Sequence, residues 1–258
     1  MHKLFTSLIS NVLVRAAFVV FLAACANPGA AAEDASWLSR LFGSVTVGSG
    51  NVTSETRAAS GFQEVAVGGS MKVLLRQSGR EGVEVSADNN LLSLIETRVS
   101  NGTLHIEMKR GANYTSRNPV TVTVDFIALK ALSLGGSATI TGTSLKGAKL
   151  GVSIGGSGSV KLNEVQLRAL DVSIGGSGSF AASGRSPRLS ISIGGSGGAL
   201  TERLDADDVS VSVAGSGGAV VKANRTLDAS VAGSGDVVYS GDAVAKTSKA
   251  GSGTITKR

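Results

Sequence analysis

From about residue 131 the chain alternates apolar and polar residues in short bursts. Leu150, Val152 and Ile154 are separated by Gly151 and Ser153, and Leu170, Val172 and Ile174 by Asp171 and Ser173. Leu189, Ile191 and Ile193, and then Val209, Val211 and Val213, are separated by serines. A period of two with β-branched residues predicts strands that bury one face. Each burst runs into a Gly/Ala-Gly-Ser triplet. The triplet serines are Ser137, Ser157, Ser177, Ser196, Ser216, Ser234 and Ser252, at spacings of 20, 20, 19, 20, 18 and 18 residues. Shorter alternating stretches follow, such as Val160-Lys161-Leu162 and Ala219-Val220-Val221.

A unit of about 19 residues cannot bury its apolar face alone, but copies stacked in parallel can. The expected fold is therefore all-β: a parallel β-helix, or β-solenoid, with ~19-residue coils. Glycine at each triplet suits a tight corner, because it tolerates positive φ. Seven coils at the ~4.8 Å strand spacing would stack to roughly 30 Å. Residues 45–130 are also strand-rich (62–67, 71–76, 82–87, 103–108, 120–126) and carry one Gly68-Gly69-Ser70 triplet, but they have no regular period. Terminal repeats are atypical because they cap a stack. This segment is thus expected to form the irregular first coils, with regular repeats over 131–258. Asp88 to Ile95 has a helix-like start, with Asp and Asn before Leu91 and Leu92. Lys246, Lys249, Lys257 and Arg258 at the far end would discourage edge-to-edge strand addition.

Composition narrows the functional classes. The 258 residues include 35 Gly but only 3 Pro and 1 Cys, which excludes collagen and a disulfide framework. Hydrophobic residues at 42% argue against disorder. Only His2 and His105 could supply imidazole, and His105 alternates with Leu104 and Ile106 like a strand surface residue.

Residues 1–32 read as an export leader. Lys3 and Arg15 give positive charge, and 16–24 is an apolar run too short to span a bilayer, which needs about 20 residues. Two processing sites compete. Leu22-Ala23-Ala24-Cys25 resembles a lipoprotein box in which Cys25 is lipidated and becomes the first mature residue; Ala30-Ala31-Ala32 offers an ordinary A-x-A site. From Cys25 onward the chain carries 23 basic and 19 acidic residues, net +4, with no basic run. Its aromatic residues are scattered and provide no stacking platform, so nucleic acid is not an expected partner. Weak basicity in an exported chain suits acidic envelope polymers. Residues 26–36 look like a tether, which Trp37, Leu38, Leu41 and Phe42 could dock.

Catalytic chemistry finds little support. Gly194-Gly195-Ser196-Gly197-Gly198 matches G-x-S-x-G, but six other triplets share its coil position and no His follows Ser196. A calcium-binding β-roll needs an Asp at every turn of a nine-residue repeat; here only Asp236 stands near such a place. Polysaccharide lyases and glycosidases occur on β-helices, and glycoside hydrolysis needs two carboxylates flanking the bond. The candidates are Asp205, Asp207 and Asp208, or Glu164 with Asp171 on neighbouring coils, against the plainer reading of solvated loops. The N-x-S/T matches at Asn51, Asn101, Asn113 and Asn224 read as polar turns. No catalytic, cofactor-binding or metal-ligating residue is assigned, and no cofactor is expected.

Three segments carry a family resemblance: Arg57-Ala-Ala-Ser-Gly61-Phe62-Gln-Glu-Val65-Ala-Val67, Asp88-Asn89-Asn90-Leu91-Leu92, and Val99-Ser-Asn-Gly102-Thr103-Leu104-His-Ile106. With the Gly-Ser-Gly coils, residues 45–258 resemble the bacterial head-GIN domain, labelled an auto-transporter adhesin. The resemblance implies a right-handed parallel β-helix, export and a role in adhesion, and it implies no catalytic residues. An autotransporter ends in a membrane barrel, and after the last repeat there is no room for its ~10-residue strands; the chain is not expected to be one itself. The resulting expectation is a non-enzymatic, adhesin-like or structural module of the bacterial envelope. It would be held at the outer membrane by a lipid on Cys25, or be soluble or secreted after cleavage at Ala32. Its partner would be an envelope or extracellular polysaccharide, a surface protein, or a second copy. The alternatives are a polysaccharide lyase or hydrolase, and a periplasmic scaffold that self-associates through its solenoid ends.

Overall fold

A computed structural model describes residues 45–258. Cys25, both processing sites and the tether lie outside the described residues. The chain divides into two units. The smaller contains the described residues 45, 46 and 111–114, which include all but the last residue of each of two paired strands, Val45–Val47 and Asn113–Thr115. The larger, Val47–Arg110 with Thr115–Arg258, holds everything that follows.

The larger unit is a β-solenoid. Its first face stacks eight strands in parallel and in register: Glu64–Gly69, Ala131–Gly136, Lys146–Gly156, the second half of Ser159–Gly176, Arg188–Gly195, Asp208–Gly215, Thr226–Gly233 and Val244–Gly251. After the triplet corner each coil crosses to a second face. There Lys72–Gln77, Thr139–Thr143, the first half of Ser159–Gly176, Ser179–Arg185, Gly198–Asp205, Gly218–Lys222, Asp236–Ser240 and Thr254–Lys257 stack likewise. A short third side returns the chain, with Lys146, Gln166, Arg185 and Asp205 successive neighbours. The parallel pairing and the repeat length agree with the sequence reading.

The interior is built of like-on-like columns. Val67, Leu134, Ile154, Ile174, Ile193, Val213 and Val231 form one, and every member is at most 3% exposed. Where a large side chain enters, its neighbour shrinks: Phe180 stacks on Ala199. The one buried hydroxyl on that side, Thr201, donates to the Val220 carbonyl at 3.2 Å.

The corner explains the triplet. At its second position Gly215 has φ +127°, and a Cβ there would stand 2.4 Å from the Gly195 carbonyl oxygen one coil away. The residue after the serine is equally confined, since a Cβ on Gly217 would meet the Gly197 carbonyl at 2.5 Å. The first position is open, so Ala replaces Gly at 214, 232 and 250. Corner amides continue the ladder, as Ser216 N–H donates to Gly195 O at 2.9 Å.

The N-terminal end departs from sequence order. Thr103–Met108 stacks in parallel on the outer side of Glu64–Gly69, and Thr121–Phe126 on Lys72–Gln77. A coil later in the chain thus precedes an earlier one in the stack, so residues 45–130 are not simply the first coils in order. Antiparallel strands close this end: Ile95–Ser100 on Thr103–Met108, Gly82–Asp88 on Thr121–Phe126, and Val52–Arg57 outermost. The helix-like start shrinks to one 3-10 turn, Leu92–Leu94. Asp88 does not cap it; the buried carboxylate accepts from Ser116 Oγ at 2.6 Å and Asn118 Nδ2 at 2.8 Å. Arg57 holds the turn instead, donating to Leu92 O at 2.7 Å and to Ile95 O.

Candidate binding face

Alternation fixes what the first face shows to solvent. Register places Ser133, Ser153, Ser173, Ser192, Ser212, Ser230 and Ser248 in one unbroken outward column. The triplet serines Ser137 to Ser252 form a second column at the corner. Between them runs a lane with almost no side chain: Gly68, Gly135, Gly155, Gly175, Gly194, Ala214, Ala232 and Ala250. Two ladders of seven hydroxyls therefore flank a smooth lane, repeating at the ~4.8 Å strand spacing. The corner periodicity was plain in the sequence. The first ladder was present as the alternating serines four residues before each triplet serine, a constant offset that identifies it once register is known.

Beyond the first ladder lie two outward columns with charge. One runs Glu64, Ala131, Gly151, Asp171, Ser190, Ser210, Asp228, Lys246; the other contains Lys149, Ala169, Arg188, Asp208, Thr226 and Val244. From Asp171 to Lys246 in the first column and from Lys149 to Val244 in the second they line a groove of about 740 Å³. Its charges alternate, and Lys149 Nζ meets Asp171 at 2.6 Å. At the N-terminal end the lane runs onto the Glu107 strand position, and the serine column continues as Ala66, His105 and Arg98. His105 is thus a half-buried strand surface residue.

Of the carboxylates proposed for glycan cleavage, Asp171, Asp205, Asp207 and Asp208 are ion-paired. Asp205 accepts from Asn224 Nδ2 at 2.9 Å, Lys222 Nζ at 3.0 Å and Arg185. The Asn224 and Lys222 hydrogen bonds chiefly hold its carboxyl down at about 2. Asp208 is lowered by hydrogen bonds from Arg225 and Thr226. Asp207 meets the same Arg185 at 3.3 Å. A general acid for glycoside cleavage needs a raised pKa, and the environments of Asp205 and Asp208 push the other way. Glu164 and Asp171 lie on one continuous strand, Ser159–Gly176, and not on neighbouring coils. Glu164 sits at a corner with φ +53°, its carboxylate accepting from Ser144 Oγ at 2.7 Å. Ser196 is one rung of the corner ladder, its amide donating to Gly176 O at 2.9 Å. Among the described residues no three of His, Cys, Asp and Glu gather as metal ligands, and no helix is long and apolar enough to cross a membrane.

Solved structures share this architecture. A putative adhesin from Bacteroides fragilis superposes with a TM-score of 0.76 at 22% identity, over 82% of this chain and 99% of that one. A protein from Parabacteroides distasonis described as a putative lipid binding protein gives 0.70 at 28% identity, over 83% and 100%. A putative adhesin from the same species gives 0.67 at 24%, again over 83% and 100%. No curated protein matches. Residues 61–243, which hold the first coil, the cap's inserted coil and all but the last repeat, match the putative auto-transporter adhesin, head GIN domain, and the chain belongs to that family.

Proposed function

We propose that this protein is a non-enzymatic, adhesin-like binding module of the bacterial cell envelope, exported by its leader and held at the outer membrane by a lipid on Cys25. The serine-laddered face is its recognition surface. The observation that carries this reading is the pair of seven-rung hydroxyl ladders flanking a lane of Gly and Ala. A periodic surface of this kind suits a periodic or extended partner, because each coil repeats the same contact. Family membership supports adhesion. The ion-paired carboxylates favour binding over glycan cleavage. Lipid binding, named for one Parabacteroides relative, has less support: the solenoid interior is filled by its own side chains.

The reading is tested on cells. Wild type is expected to be removed from intact cells by an impermeant protease, and Cys25→Ala to be lost from the membrane fraction. Protection until the outer membrane is opened would end the adhesin reading. A bulky charge in the centre of the face, Ser192→Arg, is expected to abolish attachment while leaving the fold intact.

A further inference from the structure

Eight strands of the first face, from Glu64–Gly69 to Val244–Gly251, carry two mirrored pairs of opposite charges, and Thr103–Met108 extends the sheet beyond Glu64–Gly69. These eight are stacked in the order of Glu64, Ala131, Gly151, Asp171, Ser190, Ser210, Asp228 and Lys246. Glu64 on the first strand and Lys246 on the eighth are equidistant from the midpoint between the Asp171 and Ser190 strands. In the adjacent column Lys149 on the third strand and Asp208 on the sixth are equidistant from the same point. Both of these pairs join opposite charges, whereas Asp171, Arg188 and Asp228 mirror neutral residues.

We propose that this face receives a second copy of the same chain, laid antiparallel across it about a twofold axis between the strands of Asp171 and Ser190. The inference rests on that face being the recognition surface, and it names the occupant. A twofold axis along the strand direction maps every column onto itself and reverses the stack. Glu64 then meets the partner's Lys246, and an isologous interface makes that contact twice; Lys149, paired with Asp171 in its own chain, comes opposite the partner's Asp208, which Arg225 holds there, so these two charges join existing pairs rather than form new ones. No like charges are opposed: Asp228 falls on the partner's Ala131, Arg188 on the partner's Ala169, and Asp171 on the partner's Ser190.

Size follows the same symmetry. Gly68, Gly135 and Gly155 would lie against the partner's Ala250, Ala232 and Ala214, and Gly175 against the partner's Gly194. Every alanine of the lane meets a glycine, so the two lanes can close to short range without collision. Apart from Ser248, which falls on the partner's Ala66, serine rungs meet serine rungs, where each hydroxyl can both donate and accept. The groove beside the ladders leaves room for the longer side chains of both copies. Eight strands at ~4.8 Å and about seven residues at ~3.3 Å give a face of roughly 38 by 23 Å, about 870 Å². That is close to the roughly 800 Å² per partner of a standard specific interface. Because the surface is polar, the pairing is reversible and weakens with salt.

The test is sedimentation of the exported Cys25→Ala chain at several concentrations and two salt levels. A dimer is expected. Glu64→Lys or Lys246→Glu alone should weaken it by about tenfold or more, and Glu64→Lys with Lys246→Glu in one chain should restore it to within about threefold. Both side chains are exposed, and an unchanged thermal midpoint confirms that folding is not the cause. A monomer up to ~100 μM, or a double variant no better than the singles, overturns the proposal. Ser192→Arg separates the two readings. If wild type is monomeric and Ser192→Arg still loses attachment to intact cells or isolated peptidoglycan, the occupant is a polymer; self-pairing falls and the face stands. If Ser192→Arg alters neither association nor attachment, the face itself is wrongly chosen.

Discussion

The cap and the regular coils solve the same burial problem with different residues. The cap uses individual side chains: Phe62, Phe126 and Leu91 fill its core, Asp88 ties down Ser116 and Asn118, and Arg76 grips Asp125 through two hydrogen bonds at 3.0 and 3.1 Å. Each of these contacts occurs once. The coils instead repeat one small contact, an apolar residue on its counterpart with a glycine at the corner. At the far end the interior columns give way to Ala245, Thr247 and Lys249, which stack on Leu227, Ala229 and Val231 and are exposed. An inward-pointing lysine on the last strand discourages further pairing. One part of the molecule is therefore specified by identity, and the other by spacing.

This contrast predicts where a single atom matters most. Gly215→Val should be the most damaging change, because it puts a β-branched residue at φ +127° with its Cβ 2.4 Å from a carbonyl oxygen. Strain and clash together should cost upwards of ~4 kcal/mol, read as loss of soluble protein or a collapsed denaturation midpoint. Phe126→Ala in the cap should cost about 3 kcal/mol through the cavity it leaves. Contacts in a solenoid run only between neighbours, so hydrogen exchange should show the cap opening while the coils from residue 150 onward stay protected. Loss of protection along the whole stack would show that the cap nucleates everything, and the two regions would not be separable.

Acid should act on the coils through Asp205. Its folded pKa of about 2 lies below the ordinary aspartate value of 3.8. The stability it contributes is therefore complete above the unfolded value and is lost as pH falls through the range between them. Denaturation midpoints should drop across that range in wild type and drop less in Asp205→Asn. An equal drop in both would place the acid sensitivity elsewhere, with the Asp88 cluster of the cap as the next candidate, since its hydrogen bonds lower that carboxyl too.

The coils were legible in the sequence because their specification is periodic: alternation gives the buried side, the triplet gives the corner, and spacing gives the stack. Even Ala at 214, 232 and 250 marked the open position before any distance was known. The cap was not legible to the same degree. Nothing local in Thr103–Met108 says that it stacks outside Glu64–Gly69, because that placement depends on contacts between strands far apart in sequence. The 3-10 turn misled for a related reason: Asp88, which looks like a helix cap, is taken by two partners some thirty residues on. The carboxylates at 205–208 were legible as a cluster but not as ion pairs, since Arg185, Lys222 and Arg225 come from adjacent coils. The binding face was half visible. Its serines were in plain view, but only register turns them into a ladder.

The smallest expected effect is the most discriminating. Gly175 and Gly176 are consecutive and belong to one triplet, yet a Cβ on Gly175 meets nothing within 4 Å, whereas one on Gly176 falls 2.8 Å from the Gly156 carbonyl at φ +116°. Gly175→Ala should therefore leave stability within about 0.5 kcal/mol of wild type, or raise it slightly by reducing the freedom of the unfolded chain. Gly176→Ala should destabilise clearly, by roughly 1–3 kcal/mol from the backbone strain alone. If both were tolerated, the corner would be loose, and glycine there would reflect the demands of the outer surface. If both were damaging, the lane would be under constraint at its first position too, and the alanines at 214, 232 and 250 would have to be explained by their own coils. Only the split outcome supports a corner that is set by backbone geometry at one residue and left free, one residue earlier, for whatever lies against the face.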